Sequence, residues 1–235
     1  MLTQPPITQP PGRNRPAIAF PCCSNSCSAS CSTFLFLAAV LTTLLSACST
    51  NPEITTPSTL VQPEDWNDRM NRLHQLENWS VYGKIGVRSP DQSDSAVINE
   101  WKQAGDLFRI KLSSALFGIG ATILEGSDEE LFITRSDGEI IHSRDPEQLL
   151  RTQTGWQVPL TSIPCWIKGI PSPQEEYSIT FDNQGNPHTI IQSGWRITPG
   201  RYKKTDEMYL PGKIVISNTT NKITLIIARW TLTPP

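Results

Sequence analysis

Beyond residue 48 this 235-residue chain holds one cysteine, Cys165. A single thiol closes no internal disulfide, so the fold must rest on a packed core. Long apolar runs are missing as well. The apolar stretch Phe34–Leu45 is shorter than the roughly 20 residues a membrane-spanning helix requires. Positive charge is scarce: 20 Lys and Arg stand against 22 Asp and Glu, for a net charge of −2. Nothing in that balance suggests the clustered basic surface of a nucleic-acid binder. There is no GxxxxGK[ST] phosphate loop, so no nucleotide energy source is implied. A G-x-S-x-G nucleophile elbow is absent too. The three histidines, His74, His142 and His188, fall far apart on a helix, a strand and a turn. A Ser143, His188 and Asp182 triad can be drawn, with no motif behind it. Carboxylates cluster at turns (Asp128-Glu129-Glu130, Glu175-Glu176, Asp206-Glu207), where solvation is their ordinary role. The expectation is a chain that is not an enzyme and carries no cofactor and no metal.

What is present begins at Leu45-Ser46-Ala47-Cys48, directly after the apolar stretch. That stretch has the length of a signal h-region. Small residues, a cysteine and then polar Ser49-Thr50-Asn51 resemble the lipobox of bacterial lipoproteins. The resemblance implies that Cys48 is the lipid-attachment residue, that the chain is cut just before it, and that the new amino terminus is acylated. Several acyl chains give stable attachment, because each buried methylene contributes about 0.8 kcal/mol and one chain is marginal. The alternative is an ordinary cleaved signal with a chance cysteine. Residues Met1 to Pro21 are rich in Pro and Gln, with only Arg13 and Arg15 charged, and nothing there drives folding. A region of that length predicts a true start downstream of Met1. Cys22, Cys23, Cys27 and Cys31 lack the paired spacing of a zinc site and precede the cleavage point. The expected organisation is therefore an N-terminal extension and signal over 1–47, a lipidated Thr/Pro/Ser tether over 48–63, and one domain over 64–235.

Hydrophobic spacing sets the expected shape. Trp66, Met70, Leu73 and Leu76 predict a helix over Pro63 to Asn78. From Trp79 the period becomes two, with Val81, Gly83, Ile85 and Val87 on one side and Lys84 and Arg88 on the other. Strands follow at Ser95–Trp101, Phe108–Leu112, Ala121–Leu124, Leu131–Thr134 and Glu139–Ser143. Asp145-Pro146 predicts a helix start, and Pro159 to Gly169 a second short helix. Strands resume at Tyr177–Phe181, Thr189–Ser193, Trp195–Thr198, Lys213–Ser217 and Lys222–Thr231. The total is a mainly β fold, an open antiparallel sheet of about eleven strands with short covering helices. A sheet of that width must curl or close.

One loop breaks the pattern. Lys111 to Gly120 carries Leu116 and Phe117 where a turn should be polar. The pair either tucks back onto the sheet or forms an exposed apolar tip suited to membrane or partner contact, each residue contributing about 1.5–3 kcal/mol on full burial.

Taken together, the landmarks resemble the LolB family, the outer-membrane lipoprotein receptors of Gram-negative bacteria. They are Cys48, Trp79, the run Gly83-Lys84-Ile85-Gly86-Val87-Arg88-Ser89-Pro90, Trp101, Leu116-Phe117-Gly118 and Asp145-Pro146. Gly155, Val158-Pro159, Trp166, Gly169, Pro171, Gln192, Gly194-Trp195, Leu210-Pro211 and Trp230 complete the set. The resemblance implies an open half-barrel with a hydrophobic cavity under covering helices. It implies a monomer that takes acylated lipoprotein cargo from a soluble periplasmic carrier and inserts it into the outer membrane. In the family a leucine on the protruding loop serves insertion, and Leu116 or Phe117 stands there. Ser49 and Thr50 place no aspartate after the lipidated cysteine, which by the same resemblance points to the periplasmic face of the outer membrane. No nucleic-acid partner is expected. The expected acyl-binding residues are Val81, Ile85, Val87, Phe108, Ile110, Leu112, Ile214, Ile216, Leu225 and Ile227. Lys84, Arg88, Arg109 and Lys111 are candidate carrier contacts. The rival reading of the same residues is a tethered β-rich scaffold lipoprotein that binds a protein partner without lipid transfer. Whether the concave face is filled by the protein's own side chains separates the two.

Overall fold

Alternation of buried and exposed residues decides the architecture. The computed structural model describes residues 58–113, 121–154, 158–173 and 175–233. In chain order the elements are α1 (Trp66–His74), β1 (Asn78–Arg88), β2 (Ser93–Ala104), β3 (Leu107–Ser113), β4 (Thr122–Gly126), β5 (Leu131–Thr134) and β6 (Ile140–Ser143). Two helices follow, α2 (Pro146–Thr154) and α3 (Ile163–Trp166). Then come β7 (Tyr177–Phe181), β8 (Pro187–Gln192), β9 (Trp195–Gly200), β10 (Lys203–Thr205), β11 (Met208–Leu210), β12 (Lys213–Ser217) and β13 (Lys222–Leu232). Eleven strands form one sheet in the order β6-β5-β4-β3-β2-β1-β13-β12-β9-β8-β7, and β10 and β11 make a separate hairpin. Every neighbouring pair is antiparallel. β6 and β7 are not paired with each other, so the sheet is open. α2 and α3 lie in the connection between those two edge strands.

The structure departs from the sequence reading most at two helices and one hairpin. The first helix is shorter than Pro63 to Asn78, because Asn78 and Trp79 already belong to β1. The second covering helix is four residues, with Gly169 at φ +78° ending the segment. The β10–β11 hairpin was not anticipated, since its strands of three residues carry no apolar alternation.

The bend is written into β2 and β13. In β2 the buried positions are Ala96 and Ile98, then Trp101 and Gln103; in β13 they are Ile223, Leu225 and Ile227, then Trp230. Each strand therefore slips its alternation by one residue. Both slips face the same place on β1: Ile98 and Ile227 pair with Gly83, and Trp101 and Trp230 pair with Val81. Bulges bend and twist a strand locally, and two of them side by side bend the sheet. On the outer face the Tyr82 hydroxyl donates to Glu100 Oε1 at 3.3 Å, and Arg229 lies over its ring at 4.1 Å. Lys111 Nζ reaches Glu100 Oε2 at 3.2 Å, and that hydrogen bond is the main reason the carboxyl titrates below its ordinary range. On the inner face Trp79 meets Trp101 at 5.5 Å and Trp230 at 5.3 Å.

α1 closes one end. Trp66 packs edge-on against Phe181 at 5.1 Å, and Arg69 donates to the Gly185 carbonyl. Thr59 and Phe181 exchange two main-chain hydrogen bonds of 2.8 Å, so the last residues of the segment read as tether lie against β7. Between α1 and α3 sits a small titratable cluster. The buried Lys168 donates to the Leu76 carbonyl at 3.1 Å, and Cys165 Sγ is 4.0 Å from His74 Nδ1. Burial pushes the Lys168 ammonium pKa down, with Cys165 and Glu77 acting in the opposite sense. Burial raises the Cys165 thiol. His74 is lowered, first by burial and then by the Lys168 charge.

Two predictions follow from this geometry. A β-carbon on Gly83 would collide with the main-chain carbonyl of Ile226, whereas one on Gly86 would sit 3.8 Å from its nearest neighbour. Gly83→Ala should cost about 1–3 kcal/mol by overpacking. Gly86→Ala should be neutral or stabilising, because alanine restricts the unfolded chain; thermal melts of the two variants check the contrast. For His74, a folded pKa below the ordinary value of about 6.5 means the unfolded chain binds more protons just below that pH. Stability should therefore rise with pH through that window and fall on acidification. Urea titrations at steps from pH 7 to pH 5 should show a smaller acid loss in His74→Gln than in the parent.

Candidate functional site

The inner face of β1–β4 and β13 does not meet the covering segment completely. A cavity of about 100 Å³ remains between them. Ile85 of β1, Phe108, Ile110 and Leu112 of β3, and Leu225 of β13 line it from the sheet. Leu150 of α2 and Val158, Leu160 and Ile163 before and within α3 line it from the cover. The polar side chain on the wall is Gln103, and its hydrogen bonds are made locally. Its Oε1 accepts from Trp101 Nε1 at 3.3 Å, and its Nε2 donates to the Gly105 carbonyl at 2.9 Å. The wall thus offers shape and apolar surface and no charge. Such a space favours hydrocarbon over water, because a cavity water needs two to four polar partners.

The cover is held at definite points. Asp145 Oδ1 accepts from the Gln148 N–H at 2.9 Å, which caps α2 ahead of Pro146 as the sequence predicts. Glu147 Oε1 accepts from the Leu160 N–H at 3.2 Å. The strongest tie is Gln192 of β8, 1% exposed. Its Oε1 accepts from Trp166 Nε1 and from the Ser172 N–H, each at 2.8 Å. Its Nε2 donates to the carbonyls of Ser172 at 2.8 Å and Glu175 at 3.3 Å. All four hydrogen-bonding positions of the amide are used. Trp166 itself is fully buried, 6.2 Å from Trp195. The α3 end of the cover is therefore pinned to the sheet by polar bonds, whereas Leu150, Val158 and Leu160 meet the cavity through apolar surface.

The ten residues expected to bind acyl chains divide into two groups. Ile85, Phe108, Ile110, Leu112 and Leu225 stand together on the cavity wall. Val81, Val87, Ile214, Ile216 and Ile227 are packed in the surrounding core, each at most 5% exposed. Ile98, Trp101, Leu124 and Ile223 also line the cavity and were absent from the expectation. The bulge explains two of them: Ile98 and Trp101 are three apart, which strict alternation puts on opposite faces. Ile223 has the parity of Leu225 and was legible. The cover residues were not, since nothing in the sequence reports which face of a short helix meets the sheet. Cys48, Leu116 and Phe117 lie outside the described residues.

Other candidates do not converge. Ser143 is on β6 and His188 on β8, near opposite ends of the strand order, so the drawn triad is not assembled. Asp182 Oδ1 is occupied by the N–H groups of Gln184 at 2.9 Å and Asn186 at 2.8 Å. His142 Nε2 lies 3.2 Å from Glu130 on the surface. Among the described residues no group of three or more His, Cys, Asp or Glu could hold a metal ion. Of the four candidate carrier contacts, Lys84 and Arg88 are exposed, Arg109 pairs with Glu125 at 3.0 Å and Lys111 with Glu100. A groove of about 520 Å³ between α1 and the β10–β11 hairpin is lined by Asp65, Arg69, Arg72 and Glu207, charges that suit water and not an alkyl chain.

Comparison with known proteins matches the sequence to a family. A family model described as outer membrane lipoprotein LolB matches residues 77–230, which take in the sheet from β1 almost to the end of β13. The outer-membrane lipoprotein LolB of Marinobacter nauticus is 31% identical over 196 residues, covering 82% of this chain and 94% of its own. That of Chromohalobacter salexigens is 32% identical over 206 residues, covering 88% and 94%. Among solved structures, a LolA superfamily protein from Nitrosomonas europaea is similar with a TM-score of 0.44 and 9% identity, over 72% of this chain and 94% of that one. At that level the structural likeness adds nothing to the assignment, which the sequence matches carry. A mainly β, open antiparallel half-barrel with an apolar cavity under short helices, matched by LolB relatives over most of its length, belongs to the LolB family of outer membrane lipoproteins.

Proposed function

We propose that this protein is an outer-membrane lipoprotein receptor, anchored through Cys48 on the periplasmic face, that takes acylated lipoproteins from a soluble periplasmic carrier and inserts them into the outer membrane. The observation that carries the reading is the apolar cavity without a charged group between the sheet and α2–α3. An acyl chain is the ligand such a wall suits. Each methylene moved from water to that surface contributes about 0.8 kcal/mol, and the lack of a fixed hydrogen bond leaves release easy. At about 100 Å³ the cavity is well below the roughly 300–1,000 Å³ that encloses a drug-sized ligand. Entry of a whole chain therefore requires the cover to move outward, and the part around Leu150, Val158 and Leu160, held by apolar contact and the exposed Glu147–Leu160 hydrogen bond, is the part that can yield. Transfer then runs down a gradient of affinity, from carrier to cavity to bilayer, without a coupled energy source. Insertion falls to Leu116 and Phe117, whose apolar side chains contribute to membrane contact.

Two measurements test this. A fluorescent fatty-acid analogue should bind the protein and be displaced by an acylated lipoprotein but not by its unacylated form. Labelled lipoprotein should pass from a purified carrier to liposomes faster when the protein is present. Failure to bind the analogue would favour a scaffold role. Replacing Leu116 and Phe117 together by Glu should leave the melting temperature and cargo acceptance unchanged and reduce delivery to liposomes at least tenfold. A double variant that unfolds would place the pair in the core and remove them from the insertion step.

A further inference from the structure

The acyl cavity has a polar neighbour. A groove of about 450 Å³ lies between α2 and the ends of β9 and β12. Asp145, Glu147, Gln148 and Arg151 line it from α2 and its cap, and Trp195 and Asn218 line it from the sheet. Val158 borders both the groove and the cavity. Glu147, on the groove, accepts from the N–H of Leu160, on the cavity, at 3.2 Å. One valine and one exposed hydrogen bond thus stand at the junction of the two spaces. An amphipathic ligand laid across that junction would leave its hydrocarbon on the cavity side and its polar head on the groove side.

The groove is rich in unused donors. Trp195 is 7% exposed, and its indole N–H has no hydrogen-bond partner among the described residues. The indoles of Trp101, Trp166 and Trp230 each donate, at 3.3, 2.8 and 2.9 Å. A buried indole ordinarily finds an acceptor, so the open N–H of Trp195 marks where an acceptor from outside fits. Arg151 is exposed and makes no ion pair among the described residues. Asn218 Oδ1 already accepts from the N–H groups of Thr220 at 2.9 Å and Asn221 at 2.7 Å, which leaves the donating end of its amide. The acceptors are spoken for: Asp145 Oδ1 takes the Gln148 N–H and Glu147 Oε1 the Leu160 N–H. Two carboxylates against one guanidinium repel an anionic head. A neutral carbonyl, which accepts hydrogen bonds and carries no charge, suits this set. Fatty acyl esters place such carbonyls directly at the head of their hydrocarbon.

We propose that this groove holds the ester carbonyls at the head of the cargo's acyl chains, with the Trp195 indole and Arg151 as donors, so that the protein recognises acyl esters and not hydrocarbon alone. The proposal rests on the reading of the chain as a receptor for acylated lipoproteins. The groove is open to water, which can take over each bond, so release stays easy. Competition against the fluorescent fatty-acid analogue tests it, with the full chain in lipid nanodiscs and empty nanodiscs as background. The competitors are a short peptide whose cysteine carries a dioctanoylglyceryl group and its dioctyl ether counterpart, which keeps the hydrocarbon and lacks both carbonyls. The ester should displace the analogue at about fivefold lower concentration than the ether, as one or two hydrogen bonds exchanged with water allow. Trp195→Phe keeps a ring in place and removes the N–H, and should abolish that preference with the ether unchanged. Arg151→Met, on an exposed face, should reduce the preference with no change in melting temperature. Equal displacement by ester and ether in the parent protein overturns the proposal and leaves the receptor reading standing. A preference that survives in both variants overturns it as well. Failure of both peptides to displace the analogue overturns the receptor reading, and the proposal with it.

Discussion

The close approach of β1 and β13 at Gly83 is the constraint on which the rest depends. With no β-carbon there, the Ile226 carbonyl can come against the strand, and the bulges of β2 and β13 meet at the same level. Without that line of slips the inner residues would fall out of phase. Ile223, Leu225 and Ile227 would face inward, and Trp230 would then point to solvent. The slips keep both halves of each strand facing the core while the sheet bends between them. Tyr82, with Arg229 on one side and Glu100 on the other, fills the outer surface at the bend. The three tryptophans Trp79, Trp101 and Trp230 fill the inner one. Curvature produces the hollow, and the hollow is what the cover fails to fill.

Much of this was legible in the residues. Strand existence follows from period-two alternation that is strong in β1, β3 and β12, and the α2 start from Asp145-Pro146. The misses share a cause, since each depends on tertiary contact. Ile98 and Trp101 share a wall only because of a bulge, which alternation cannot register. Gln192 looks like an ordinary strand polar residue until the main chain of Ser172 and the indole of Trp166 are brought to it. The hairpin over Lys203–Leu210 is too short to show a period, and its position comes from the buried Leu210 and the half-buried Tyr202. Val81, Val87, Ile214, Ile216 and Ile227 share the parity of the wall residues. Parity reports which side of the sheet a residue faces and not whether a helix already covers it.

The cover combines two kinds of attachment with different energetics. The Gln192 amide satisfies buried groups that would each cost about 1–3 kcal/mol if left unpaired, so the α3 end opens at high cost. Apolar contact at Leu150 and Val158 is non-directional, and hydrocarbon can replace it nearly one for one. A ligand of the same character as the cover therefore displaces it with little net penalty, and a polar ligand does not. The buried Lys168 and the lowered His74 stand on the pinned side, away from that exchange.

The joint at the middle of the sheet has a kinetic meaning. Trp79 stands opposite Leu232, so the central pair of strands comes from the two ends of the domain. Contacts of such long sequence separation form late, because the loop between them must first be closed. The strands on either side can assemble as two open meanders, which fuse only when β13 pairs with β1. Assembly of the domain is thus timed by the docking of β13, and the greasy interior exists only once that strand has joined β1.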